Sequence, residues 1–148
     1  MIREITEDDL PVILVYAEYF WTKTPYISTG LQLNKIDTAD LLRTMQQDHY
    51  LRVYEDEEQG IVGIIGHMIM PFLFNNDYNL AAEMFFFVHP EYRGGDVGSK
   101  LVDQAEKDLK EMGVDLVSMS EMRSSKDMEK WYAKKGFTLV ERSFGKVI

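Results

Sequence analysis

The 148 residues are 45% apolar and 28% charged, with no cysteine and a formal charge of −9. That size suits one compact domain over residues 1–148 and excludes wholesale disorder. The missing cysteines exclude a disulfide framework, a thiolate metal site and a cysteine nucleophile, and the net acidity argues against a protein built to grip phosphate backbones.

Residues 2–5 read as a short first strand. Leu10, Ile13, Leu14, Ala17, Phe20 and Trp21 then recur at steps of three and four, which predicts a helix with one buried stripe. Thr6, Asp8 and Asp9 supply its start, and Pro11 is tolerated because it falls in the first turn. Pro25 and Gly30 end that region, and a second helix is expected from an Asp37 cap through Leu41, Leu42 and Met45. Residues 50–54 and 61–70 read as a hairpin around the charged turn at 55–60, and the Phe-rich run 80–88 as a third strong strand. Val97, Leu101, Val102, Ala105, Leu109 and Met112 predict an amphipathic helix that Gly113 ends. A strand at 114–119, a short helix at 127–135 stopped by Gly136, and a strand at 137–141 follow, with 143–148 as an optional last strand. Hairpins followed by a β-α-β crossover imply an α/β (α+β) fold, a mixed sheet of six to seven strands with helices on both faces.

The N-terminal Met1-Ile2-Arg3-Glu4 carries charge where a secretory signal would begin its apolar stretch, and runs such as 85–88 are far short of a membrane span. The expectation is a cytoplasmic protein with no membrane and no nucleic-acid partner; a homodimer is compatible with the sequence.

The stretch with chemical content runs from Phe85 to Ser99. An apolar strand leads into Pro90-Glu91-Tyr92-Arg93-Gly94-Gly95-Asp96-Val97-Gly98-Ser99 and opens a helix. A helix N-terminus offers unpaired N–H groups and roughly half a positive charge, which suits phosphate. Glycines at 94, 95 and 98 let backbone amides approach a ligand, and Arg93 can add a charge-assisted contact. The same residues also make an ordinary tight connection, with Asp96 as a helix cap. Neither a Walker loop nor a dinucleotide fingerprint is present.

A second element lies at a telling distance: Trp131-Tyr132-Ala133-Lys134-Lys135-Gly136-Phe137. Together with Val88-His89-Pro90-Glu91-Tyr92-Arg93-Gly94, it resembles the GNAT superfamily of acyl-CoA-dependent N-acetyltransferases. In that family a strand ends in V-x-P-x-x-R, a turn R-x-x-G-x-G/A starts the pyrophosphate-binding helix, and a later helix ends in Y-x-x-x-G-F. Val88, Pro90, Arg93, Gly98, Tyr132, Gly136 and Phe137 match. The resemblance implies a mostly antiparallel sheet and a donor, acetyl-CoA, held by Phe87, Val88, Arg93, Gly94, Gly95, Asp96, Val97, Gly98 and Ser99, without a metal. One position departs: the middle glycine of the turn is Asp96. Like charges about 4 Å apart repel by about 1 kcal/mol in water and about 4 at an effective dielectric of 20, so a carboxylate here opposes a diphosphate unless it turns away or Arg93 and Lys100 offset it.

The implied reaction moves an acetyl group from the thioester to a primary amine by direct attack. An alkyl amine has a pKa of about 10.4, so a base helps, and the leaving thiolate gains from a proton donor. Tyr132 matches the family's thiolate-protonating tyrosine; otherwise it is a half-buried aromatic beside Trp131. Glu83, the charge within 81–88, is a candidate base, with Ser120 and Glu121 as rival base or water-holding positions. His49, His67 and His89 are widely spaced, and no metal is assigned to them. The acceptor, a small-molecule or peptide amine and by charge a cationic one, is expected near the first two helices and the turn at 71–79, where Tyr19, Trp21, Tyr26, Phe72 and Phe74 cluster. Phe20 and Trp21 also fit the buried stripe. Two other readings stay open: a catalytically weak or inactive CoA-binding or interaction module, supported by Asp96, and a tRNA-acetylating toxin, which the charge disfavours.

Overall fold

The structure, a computed structural model, describes residues 1–122 and 128–148. Its elements in chain order are β1 (Ile2–Arg3), α1 (Leu10–Lys23), α2 (Lys35–Asp48), β2 (Tyr50–Asp56), β3 (Gly60–Phe72), β4 (Asn75–Val88), α3 (Val97–Glu111), β5 (Leu116–Ser118) and α4 (Glu129–Lys134). The five strands lie side by side in sequence order. Neighbours from β1 to β4 are antiparallel, and β5, reached by the α3 crossover, runs parallel to β4.

Each face of the sheet carries its own core. Leu10 and Ile13 of α1 and Ala39, Leu42 and Met45 of α2 pack on Leu51, Val53, Ile64 and Phe87. On the other face, Val97, Leu101, Val102, Ala105 and Leu109 of α3 pack on Tyr50, Val62, Ile65 and Ala81, with Trp131 and Phe137 at the margin. The α3 spacing read from the sequence therefore identifies its buried stripe except at Met112, which caps the helix and is exposed.

Boundaries and strand count differ from expectation. Helix α2 starts earlier than an Asp37 cap would allow: Asn34 Oδ1 accepts from the backbone N–H groups of Ile36 and Asp37 at 2.9 and 3.1 Å, leaving Asp37 in the first turn. Residue 127, the expected first residue of the last helix, lies outside the described residues; the described part is α4. Among the described residues the sheet has five strands, not six or seven, because neither 137–141 nor 143–148 forms a strand. Leu139, Val140, Phe144, Val147 and Ile148 are exposed instead. An apolar β-prone run becomes a strand only against a partner edge, and β5 offers just three residues. Among the described residues no helix is long and apolar enough to cross a membrane.

Candidate active site

The site begins with a fork in the sheet. Strand β4 pairs with β5 only through Leu80–Leu116, Ala81–Val117 and Ala82–Ser118. Beyond that point β4 continues to Val88 with β3 on one side, while among the described residues no strand covers the other. A bulge marks the divergence: Gly66 faces Phe85 and His67 faces Glu83, so Met84 has no partner on β3. An extra residue bends the strand and resets which side chains share a face. The outcome is that Glu83 stands opposite buried His67, on the α3 side.

Glu83 is half-buried at the throat of the fork, where its Oε2 accepts from the Ser120 N–H at 2.7 Å. Burial pushes its carboxyl up to about 7, against the opposing pull of that hydrogen bond. Tyr132 on α4 donates its hydroxyl proton to the Ser120 carbonyl at 3.2 Å. Burial, followed by the Glu83 and Glu121 carboxylates, raises the Tyr132 pKa, so the phenol keeps its proton at neutral pH. One residue of backbone thus brings together a group able to take a proton and a group able to give one. Helix α4 is held there by the Trp131–Phe86 ring stack at 6.1 Å and by Lys135, whose ammonium bonds Asp103 on α3.

The second part is the turn into α3. Gly94 has φ +84°, a conformation that any side chain would strain. Gly98 is different. A Cβ there would meet Phe86 and Val88 side chains at 3.5 and 3.6 Å, ordinary contact, so the protein's own packing does not demand glycine. Bare backbone at that position instead fits close approach by a ligand. Ser99 sits in the first turn of α3, its hydroxyl 3.5 Å from Asp103. Val97 is a core residue of α3, and Phe87 faces the other core, in contact with Tyr16 at 5.1 Å. Arg93 donates from Nε to the Val88 carbonyl at 2.8 Å and lies over the Phe87 ring at 5.5 Å, which ties the end of β4 to the turn. Asp96 pairs with Lys100 at 2.7 Å and makes no side-chain cap bond.

Both sequence motifs therefore meet at one place: the glycine turn heads the helix beside the open part of β4, and α4 brings Tyr132 to its throat. The acetyltransferase (GNAT) family profile matches residues 12–137. The chain belongs to the GNAT acetyltransferase family. No curated protein matches it in sequence. Among solved structures, an acetyltransferase from Trypanosoma brucei is 21% identical with a TM-score of 0.76, and the alignment covers 100% of this chain and 99% of that one. A transcriptional regulator from Bacillus halodurans is 22% identical, with a TM-score of 0.78 and the same coverage. Glucosamine-6-phosphate N-acetyltransferase from Arabidopsis thaliana is 18% identical, with a TM-score of 0.71, covering 99% of this chain and 97% of its own. At these identities the likeness carries the fold alone.

Within this GNAT domain the remaining candidates have partners of their own. Glu121 accepts from the Met128 N–H at 2.8 Å and so is engaged at the entry to α4. Ser120 contributes backbone rather than its hydroxyl. His49 accepts from the Ile69 N–H, and His89 accepts from the Glu91 N–H within its turn. His67 is fully buried beside Met119, and burial pushes its pKa down to about 4, which keeps it neutral. Among the described residues no group of His, Asp or Glu is arranged to hold a metal ion. Of the aromatic cluster, Trp21 stacks on Tyr26 at 6.3 Å beside a cavity of about 460 Å³ that Glu18, Ile27 and Leu31 also line. Phe72 and Phe74 pair with each other at 5.6 Å. Sequence reasoning passed over Met84, Asp103 and Lys135. A bulge has no residue signature, and an ion pair 32 positions apart is visible only after folding.

Proposed function

We propose that this GNAT domain transfers an acetyl group from acetyl-CoA to a primary amine by direct attack on the thioester. The observation that carries the reading is the meeting of Glu83 and Tyr132 on Ser120, at the throat of the fork and beside a glycine turn fit for phosphate. The open side of β4 suits an extended, amide-bearing arm, because unpaired strand groups need hydrogen-bond partners. The N–H groups at 94–98 suit the diphosphate. Holding thioester and amine together supplies about 7–11 kcal/mol of the barrier.

Glu83 then takes a proton from the incoming nitrogen, directly or through water, and its pKa near 7 matches that task at neutral pH. The new C–N bond forms as the C–S bond breaks, and Tyr132 gives its proton to the departing sulfur. Tyr132 regains one from solvent, so that an ammonium acceptor releases one proton per turnover. The acceptor in this reading is a small-molecule or peptide amine. A net charge of −9, and Glu18 and the Trp21 ring at the α1–α2 cavity, favour a cationic one.

The alternative of a CoA-binding module without catalysis draws its support from Asp96, and the Lys100 pair supplies an answer to it. The acidic surface counts against a tRNA substrate. The test is thermal unfolding with and without acetyl-CoA, followed by thiol release across a panel of amines. Ligand at a hundred times its Kd adds about 2.7 kcal/mol of stability. Stabilisation with amine-dependent thiol release supports the reading; stabilisation without release across a broad panel supports the non-catalytic module.

A further inference from the structure

Asp96 stands where the matching family turn has its middle glycine, and a diphosphate bound at that turn would approach its carboxylate. In the structure that carboxylate has a cation beside it. Its Oδ2 is 2.7 Å from the Lys100 ammonium, one helical turn further along α3. The direction of the pull is recorded by the neighbours. Lys100 lies 5.9 Å from the Tyr54 ring on β2, whereas Ser99 and Asp103 are reached by Lys135 from α4. Lys100 thus lies on the β2 side of α3, about 60° around the helix from Asp103, which faces α4. The pair draws the carboxylate along α3 toward the β2 side and sets a cation within one turn of the helix N-terminus.

We infer that Lys100 is a positioning residue for donor binding: it holds the Asp96 carboxylate aside, which lets the glycine turn accept a diphosphate despite the acidic residue within it. This rests on the acetyl-CoA reading above. Its distinctive consequence is conditional. Lys100 matters because Asp96 is present, and its removal uncovers a repulsion that a simple loss of one surface cation would not produce. Asp96, in turn, is tolerated only in the company of Lys100.

A double-mutant cycle read by calorimetric titration with acetyl-CoA tests this. Lys100→Met is expected to raise Kd about five- to tenfold, since it removes an attraction and leaves a like charge near the ligand. Lys100→Met combined with Asp96→Asn is expected to return Kd to within about threefold of the starting protein. Lys107→Met, an exposed lysine further along α3, supplies the control for net charge and is expected to leave Kd nearly unchanged. Circular dichroism melts confirm that each variant folds. If Lys100→Met binds as the parent does, or weakens binding equally with and without Asp96, the inference is wrong while donor binding stands. If the parent protein does not bind acetyl-CoA at millimolar concentration, the donor reading and the inference fall together.

Discussion

Two carboxylates in this molecule sit in partly buried places and are driven in opposite directions. Asp9, at the corner where β1 meets the start of α1, receives Arg3 in a two-pronged contact at 2.7 and 3.0 Å, and Thr6 donates to it from both N–H and hydroxyl. The guanidinium, which Glu55 also shares at 2.7 Å, holds the Asp9 carboxyl down to about 2. Glu83, at the fork, accepts only a backbone N–H among the described residues, and burial lifts it to about 7. The first arrangement consumes its charge in fastening the fold. The second leaves a carboxyl poised near neutrality at the expense of stability, which is what the proposed role as a base requires.

The largest expected effect comes from the donor half of the fork. Tyr132→Phe should lower turnover by about 10²–10⁴ with acetyl-CoA Kd nearly unchanged, checked by single-turnover kinetics and titration. Unaltered turnover would remove Tyr132 from the mechanism. Glu83→Gln should lower turnover by about 10²-fold and also abolish a titration. In the parent protein kcat/KM should rise as pH climbs through about 7, because the base acts when deprotonated; the variant should lack that limb. Stability should move the other way. Glu83 holds its proton more tightly when folded, so its contribution is present below its ordinary value of 4.5 and lost as pH rises to about 7. Glu83→Gln should therefore gain about 1–2 kcal/mol over the parent at pH 8, after allowance for part exposure.

At the Arg3 corner the signs reverse. Asp9 has a depressed pKa, so its stabilisation is complete above the ordinary value of 3.8 and disappears as pH falls through about 2. Arg3→Ala should cost about 2 kcal/mol at pH 7 in denaturant unfolding, shrinking toward acid, with kcat in the parent's range once the protein is folded. A drop in kcat at full folding would show that the corner and the fork are coupled.

The contrast was only half legible in the sequence. Helix α3 was readable because its buried stripe repeats within one element, and the turn at 93–98 because glycine is chemically conspicuous. Tyr132 was singled out through the resemblance to the GNAT motif. The place of Glu83 was not, since the bulge at Met84 decides which face it takes, and a bulge follows from strand pairing rather than from residue type. The sheet was over-counted for a related reason. Residues such as Leu139 and Val140 have strand composition, yet composition cannot supply a neighbouring edge. The Arg3–Asp9–Glu55 cluster joins residues up to 52 positions apart, so only its local part, the start signal at Thr6 and Asp9, could be read.

The smallest effect concerns what keeps Glu83 and Tyr132, the two proton-handling groups of the proposed reaction, together. Helix α4 has six residues, too few to be stable by its own hydrogen bonds, so tertiary contacts set its place. Those contacts are the Trp131–Phe86 stack, packing of Phe137, and Lys135, which is largely buried over Trp131 and bonded to Asp103. Lys135→Met keeps the apolar stem and removes the ammonium, so the stack survives while the link to α3 is lost. The expected cost is about 1 kcal/mol of stability and a two- to fivefold fall in kcat, with Lys135→Arg restoring both and acetyl-CoA Kd unchanged. Unlike the Arg3 corner, this ion pair should report in turnover as well as in unfolding, because it borders the fork. If stability falls and kcat does not, the ring stack alone fixes Tyr132, and the division between fastening charges and working charges becomes sharper still.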